Sequence, residues 1–308
     1  MYQRLATIVR QAPLTWFYSL SVAIVILTIP LFIVTGAQEA IDQAFIITGA
    51  PFNTDLLTWG RLVAAYPDTA LGAALALLQV GAPDIAVLIV VPLAFGWRGL
   101  IDLKRRFRFW PREMPWRRGI GVWLVAMLTF VLLSLATAAL NQWVLPVESF
   151  TWHPDLRPLP LVGGLLTAML LDGGGLFEEN GWRGFALPLL LQGYGPLVAS
   201  LILGLLWAFW HIPVKFDLVL NYGLTRALIM FGALTLKFLV LTIIMTYFWR
   251  RAGQTTIIGI AMHGLSNDSL RLGGEVQAKT FVAQLGGFRF QKHQRYPDVI
   301  RRTIKFLP

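Results

Sequence analysis

The chain has 308 residues, of which 56% are hydrophobic and only 14% are charged, and its mean hydropathy is +0.64. Soluble domains of ordinary composition are less apolar and about 25% charged, so this composition excludes that class and indicates a multi-span membrane protein. The net charge of +10 lies mostly in loops, which argues against a nucleic-acid-binding domain, and the absence of cysteine excludes a disulfide framework and thiolate catalysis.

Apolar blocks with few charges recur along the chain, with lengths near the roughly 20 residues that cross a bilayer as a helix. Open sheet edges cannot face lipid, so we predict an all-α, polytopic membrane helix bundle with about seven or eight transmembrane helices. The second span contains Gly81, Pro83 and Asp84, which predict a kink or a short extra segment, or a capping role for Asp84. In chain order the predicted spans are Leu14–Val34, Thr69–Trp97, Gly119–Leu140, Leu159–Leu191, Pro196–Ile212, Ala227–Trp249 and Thr255–Leu272.

The charged loops indicate an orientation in the membrane. The loop from Arg98 to Arg118 is rich in cations, whereas the segment from Ala37 to Asp68 is mostly acidic. By the positive-inside rule the first of these loops is cytoplasmic, and so is the N-terminus, since two predicted spans separate them. We divide the chain into N-terminal transmembrane helices (1–158), a helical core (159–272) and a basic C-terminal tail (273–308).

The stretch LFEENGWRGFALP, residues 176–188, places charged groups in a strongly apolar region. Ionisable residues inside a span are costly, so each is a candidate functional residue. Glu179 and Arg183 are four residues apart, with the acid on the N-terminal side, which favours an ion pair on one helix face. Glu178 points about 100° away and is stacked with Trp182, which leaves it as the freer carboxylate and the candidate general base.

Two histidines follow later apolar runs, at His211 and His263. A helical hairpin through the Gly193–Gly195 turn would return His211 to the level of Glu178, because the chain descends and climbs by about 22 Å at 1.5 Å per residue. His263 shares a face with Asn267. If the last span packs beside this hairpin, one carboxylate, two imidazoles and an amide converge.

Each of these polar residues could also have a purely structural role. A single intramembrane histidine commonly forms a hydrogen bond between helices, and a Glu–Arg pair commonly stabilises a helix. The joint occurrence of all these groups, in this order, favours a functional site.

Three motifs resemble those of the CAAX-protease and bacteriocin-processing family, also called Abi, of intramembrane proteases. They are EENGWR (Glu178–Arg183), WAFWH (Trp207–His211) and HGLSN (His263–Asn267). Trp207 replaces the phenylalanine usual in the family, and we expect it to fill the same packing role. A looser likeness of the N-terminal half to bacterial members implies a prokaryotic cell membrane.

The resemblance implies hydrolysis of a peptide bond within the membrane. Carried over by position, Glu178 would activate the attacking water, His211 and His263 would assist, and Asn267 would polarise the carbonyl group. Glu179 and Arg183 would fix the first helix, with Trp182 and Trp207 in supporting positions. The family has been called a metalloprotease family, and Glu178, His211 and His263 match the ligand set of a hydrolytic zinc site. The sequence leaves a divalent metal such as zinc open, because the same groups could act as acid and base.

The expected partners are a membrane-associated peptide or protein substrate and the lipid bilayer, with no nucleic acid. Two other classes remain open: a non-catalytic immunity or scaffold protein with the polar cluster as its core, and a transporter that uses Glu178 and the histidines as a proton relay. No inverted repeat, the usual sign of such a transporter, is apparent.

Overall fold

A computed structural model describes residues 2–48, 55–144, 150–152, 157–215, 219, 223–268 and 276–278. The fold is an all-α helix bundle, as predicted. Its N-terminal helices are α1 (Tyr2–Gln11), α2 (Pro13–Thr35), α3 (Ala37–Thr48), α4 (Leu56–Ala65), α5 (Ala70–Val80), α6 (Ala82–Arg106) and α7 (Trp116–Val144).

The second half of the bundle contains the charged motifs. Its elements are α8 (Pro158–Leu171), α9 (Gly173–Glu179), a π-helical segment (Asn180–Ala186), α10 (Leu187–Gly193), α11 (Pro196–Trp210), α12 (Leu224–Arg251) and α13 (Thr256–Asp268). The predicted span Leu159–Leu191 is therefore broken once, at Asp172, and the helix is continuous from α9 through the π-helical segment to α10. The break at Asp172 follows from its extended backbone, and its side chain accepts a hydrogen bond from the Gly175 N–H at the start of α9.

Four helices in the described part of the chain are long and apolar enough to cross a membrane: α2, α6, α7 and α12. They coincide with predicted spans, and the chain is an integral membrane protein. Shorter apolar helices lie in two of the remaining predicted spans, at Leu161–Leu171 and at Pro196–Trp210. Large apolar side chains such as Leu27 and Val34 are exposed on the bundle surface, as expected for a surface that faces lipid. The total of seven or eight spans stays a prediction.

The second predicted span breaks at Gly81, between α5 and α6, as its glycine and proline indicated. Asp84 has a different role from the capping role that its position after Pro83 suggested. Its Oδ2 accepts a hydrogen bond from Asn180 Nδ2 at 2.7 Å, and its Oδ1 accepts one from the Gly181 N–H at 2.9 Å. Asp84 therefore joins α6 to the start of the π-helical segment.

A two-stranded antiparallel pairing lies outside the helices. Strand β1 (Phe150–Trp152) pairs with β2 (Val276–Ala278), with Phe150 opposite Ala278. Most of the predicted basic tail (273–308) lies outside the described residues, apart from β2. The division of the chain into three regions also stays a prediction.

The most extensive helix pair among the described elements is α11 with α12. Gly204 lies at their crossing, where a Cβ atom would be 3.0 Å from the Leu239 Cα and 3.1 Å from the Phe238 carbonyl oxygen. Small residues allow helix backbones to approach in membrane proteins, where packing rather than the hydrophobic effect drives association. The close approach brings the end of α11 next to Phe238.

We expect Gly204→Val to lower the stability of the protein by about 1–3 kcal/mol, because its branched side chain must displace the α12 backbone. Thermal unfolding in detergent measures this. Gly232→Ala on α12 is the matched control, since a Cβ there has nothing within 4 Å. Equal melting temperatures for the two variants would contradict this account of the crossing.

Candidate active site

The charged residues of the first motif lie where α9 passes into the π-helical segment. The Leu187 N–H bonds to the Trp182 carbonyl five residues back, which is the π-helical pattern. Such wide turns are rare in proteins, and those that occur often lie at functional sites. The i, i+4 pairs predicted from an ordinary helix are nevertheless present, with Trp182 bonded to Glu178 and Arg183 bonded to Glu179.

The Glu179 carboxylate is fully buried and joins two parts of the bundle. Its Oε1 accepts a hydrogen bond from Arg183 Nη1 at 2.6 Å and lies 2.8 Å from His263 Nδ1 on α13. Oε1 accepts from both partners, so Nδ1 of His263 carries the hydrogen of this contact. The third motif therefore meets the first through Glu179.

Glu178 is held differently from Glu179. Its Oε2 accepts hydrogen bonds from two indole groups, Trp182 Nε1 at 3.1 Å and Trp207 Nε1 at 3.0 Å. Neither indole reaches Oε1, and Glu178 keeps 5% of its surface exposed. One oxygen is thus fixed by two donors, and the other can contact a small molecule.

Trp207 contacts residues of all three motifs. The Arg183 guanidinium lies 4.4 Å from its ring centroid, in a cation–π arrangement, and the His263 ring lies 4.9 Å away. Its carbonyl oxygen is 2.8 Å from Nδ1 of His211. Phe238 packs against both rings, at 4.4 Å from Trp207 and 4.6 Å from His211. The packing role expected of Trp207 is present, and its N–H adds a hydrogen bond that phenylalanine could not make.

The end of α11 returns to the first motif through Trp207, as the predicted helical hairpin requires. Trp207, one turn before His211 on α11, reaches Glu178 across 29 residues of sequence. Because a carbonyl only accepts, Nδ1 of His211 donates to the Trp207 oxygen, and Nε2 of the neutral ring is an acceptor. His211 and His263 lie within electrostatic range of each other, and so do Glu178 and His263. Glu178, His211 and His263 therefore surround Trp207.

Asn267 has a partner that the sequence did not identify. Its Nδ2 donates to Asp172 Oδ1 at 3.3 Å. A Cβ atom on Gly174 would lie 2.8 Å from His263 Nε2, 3.1 Å from Asn267 Nδ2 and 3.2 Å from Asp172 Oδ1. Glycine is required here because these polar atoms approach the α9 backbone closely. The run of three glycines directly after Asp172 was the available signal for this approach.

The expected metal ligands are Glu178, His211 and His263. Over the residues that the structure describes, no three His, Asp or Glu side chains form a group that could hold a metal ion. Nδ1 of each imidazole is engaged by an oxygen atom, which leaves Nε2 of both rings as the nitrogen that could bind a metal, and Glu178 Oε2 already accepts from two indoles. A metal ion at this site stays a hypothesis, and we derive no step through one.

Comparisons with known proteins agree with the motifs. Residues 158–268 match the family model described as type II CAAX prenyl endopeptidase Rce1-like. A curated relative, CAAX prenyl protease 2 of Methanococcus maripaludis, is 33% identical over 93 residues, which are 30% of this chain and 34% of the relative. The matched segment contains all three motifs, and the resemblance inferred from them is confirmed.

The chain spans about a third of the length of the curated relative that it matches. The family match points to a peptidase of the CAAX type in a membrane. It assigns no role to an individual residue.

We expect Gly174→Ala to displace His263 and Asn267, because the added methyl group would lie within 2.8 Å of His263 Nε2. The stability cost should be about 1–3 kcal/mol, measured by thermal unfolding in detergent. Gly163→Ala on α8 is the matched control, since a Cβ there has nothing within 4 Å. A melting temperature for Gly174→Ala equal to that of the control would be inconsistent with the packing described.

Proposed function

We propose that the protein is an intramembrane endopeptidase that hydrolyses a peptide bond of a membrane-associated protein or peptide. The observation that supports this most strongly is the two-indole contact to Glu178 Oε2, which leaves Oε1 of the same carboxylate for a water molecule. Such a carboxylate, in a largely dry site beside two imidazoles, has the composition of a general-base centre.

In the proposed reaction, Glu178 Oε1 takes a proton from a water molecule as its oxygen attacks the scissile carbonyl carbon. The resulting tetrahedral intermediate carries negative charge on the former carbonyl oxygen. Asn267 is the proposed donor to this oxygen, since its amide nitrogen has two hydrogens and its contacts to the Asp172 oxygens are long, at 3.3 and 3.5 Å. The C–N bond then breaks, and the proton on Glu178 passes to the leaving amine.

The two histidines have different proposed tasks. His211 Nε2 is an acceptor in the neutral ring and can orient the attacking water, while its Nδ1 is fixed by the Trp207 carbonyl. His263 is oriented by Glu179, which is itself paired with Arg183. Glu179 and Arg183 are therefore positioning residues, and Trp182 and Trp207 position Glu178.

The orientation is also a proposal. The cationic loop after α6 and the pair Arg250–Arg251 at the end of α12 favour the cytoplasmic side for both, with a cytoplasmic N-terminus. The resemblance to bacterial members supports a prokaryotic cell membrane.

We expect the purified protein in detergent to cleave a lipidated or transmembrane peptide and Glu178→Gln to lower kcat by about 10²–10⁴, the usual contribution of a general base. Glutamine keeps the shape and the indole contacts but is not basic. His211→Ala should also abolish turnover without lowering the yield of folded protein. The exposed Glu39→Gln on α3 is the matched control and should cleave like the unchanged protein.

Cleavage by Glu178→Gln at the unchanged rate would reject this assignment. The scaffold alternative predicts instead that no peptide is cut while Arg183→Met lowers the melting temperature. Chelator treatment together with metal analysis tests the metal hypothesis: lost cleavage and a stoichiometric ion would establish it.

Trp207→Phe restores the aromatic residue usual in the family, removes the N–H donor to Glu178 and leaves a smaller ring against Arg183 and His263. Since a hydrogen bond to a charged group contributes about 1.5–3 kcal/mol, we expect kcat to fall at least roughly ten-fold with KM nearly unchanged. Trp210→Phe is the control on the same helix, because its N–H donates to the Ser21 carbonyl instead. Equal kcat for both variants would mean that this position requires only a large aromatic ring.

A further inference from the structure

A group of buried polar atoms around Arg183 has no part in the proposed reaction. Among the described residues these atoms have no hydrogen-bond partner, and the side chains to which they belong are at most 2% exposed. Buried polar groups are almost always satisfied by protein or by ordered water, so a cluster of exceptions calls for a ligand. The atoms are Glu179 Oε2, Arg183 Nε, Thr242 Oγ1, Thr246 Oγ1, Trp249 Nε1 and Thr256 Oγ1.

Half of these atoms form a stripe on α12. Thr242, Thr246 and Trp249 are spaced by four and three residues, so they share one helix face. Met245 lies on the same face, and its sulfur accepts a hydrogen bond from Arg183 Nη2 at 3.1 Å. The stripe therefore faces the Arg183 side chain.

The opposite side is formed by the start of α13. A Cβ atom on Gly259 would lie 2.8 Å from Glu179 Oε2, which shows that this oxygen points at α13. Thr256, about one turn earlier, has its hydroxyl 3.5 Å from the Cβ position of Gly184, the residue after Arg183. Helix α12, through Met245, and the start of α13, through Gly259, thus both border the Glu179–Arg183 ion pair.

The threonines of the stripe differ from other helical hydroxyl residues of the chain. Thr235, earlier on α12, donates to the Phe231 carbonyl at 2.8 Å. Back-bonding of this kind is the ordinary way to satisfy a helical hydroxyl group. The hydroxyl groups of Thr242 and Thr246 form no such bond. A bond to a carbonyl three or four residues back is made, in contrast, by Thr7, Ser21, Thr28, Thr35, Thr129, Thr167 and Ser200.

The chemistry of these atoms selects the ligand. Glu179 Oε2 only accepts, Arg183 Nε and Trp249 Nε1 only donate, and the hydroxyl groups do both. A ligand that satisfies all of them must be small and must donate and accept. An anion would be repelled by the Glu179 carboxylate, and a cation would be repelled by the Arg183 guanidinium. Water can form hydrogen bonds with both groups.

We propose that Thr242, Thr246, Trp249 and Thr256 line a file of buried water molecules that ends at Glu179 Oε2 and Arg183 Nε. The file runs along α12 toward its C-terminal end, where Arg250 and Arg251 follow Trp249 and mark a membrane surface. It completes the hydrogen bonding of an ion pair that the bundle otherwise removes from solvent. This assignment does not depend on the proposed peptidase activity.

Radiolytic hydroxyl labelling of the purified protein in H₂¹⁸O, read by mass spectrometry, tests the file. Radicals formed from bound water label adjacent side chains that bulk solvent does not reach. Met245 and Trp249, both 0% exposed, should take up ¹⁸O several-fold faster than Met230 and Trp210, which are similarly buried but lie away from the stripe. Labelling of all four residues at the same slow rate would overturn the proposal.

Thr246→Val provides the second arm, because valine keeps the shape of threonine and removes its hydroxyl group. We expect labelling of Met245 and Trp249 to fall several-fold in this variant. Thr235→Val is the matched control, since its hydroxyl bonds to the backbone, and it should leave the labelling unchanged. Equal labelling in both variants would contradict the file. If Thr246→Val does not fold, the labelling rates of the four residues in the unchanged protein still test the proposal.

Discussion

The arrangement of the cluster depends on the buried carboxylate of Glu179. It pairs with Arg183 on the following turn and with His263 on α13, and the side chains of Glu179 and Arg183 are completely buried. Removing one partner of such a buried pair typically costs about 3–5 kcal/mol, because the remaining charge stays away from water. This interaction therefore holds the first and third motifs in contact within an otherwise apolar bundle.

Trp207 joins the second motif to the other two. Its ring lies under the Arg183 guanidinium and beside His263, its N–H donates to Glu178, and its carbonyl accepts from His211. A phenylalanine could provide the ring contacts and, through its backbone, the carbonyl. Only an indole at this position adds a second donor to Glu178 Oε2, so this chain fixes that carboxylate more firmly than a phenylalanine would allow.

Glycine makes these contacts sterically accessible. Gly174 lets His263 and Asn267 approach α9, Gly259 leaves room for the Glu179 carboxylate, and Gly204 brings α11 against α12. Each position is one at which a methyl group would meet a polar atom or a neighbouring backbone. The polar cluster is thus enclosed by close helix approaches, which keep bulk solvent away from most of it and strengthen its electrostatic interactions.

The sequence by itself determined the membrane class, the helical fold, the break at Gly81 and the pairs Glu178–Trp182 and Glu179–Arg183. These follow from hydropathy and from the spacing of residues within a helical turn, which are local properties. The approximate level of His211 also followed, since helix length depends only on residue number.

Only the tertiary structure decided that His263 bonds to Glu179, that Trp207 donates to Glu178 and that Asp172 holds Asn267. It also revealed the π-helical segment and the contact of Asp84 with Asn180. Each of these depends on which faces of distant helices meet. That choice is made by packing over the whole bundle, and no local pattern in the sequence encodes it.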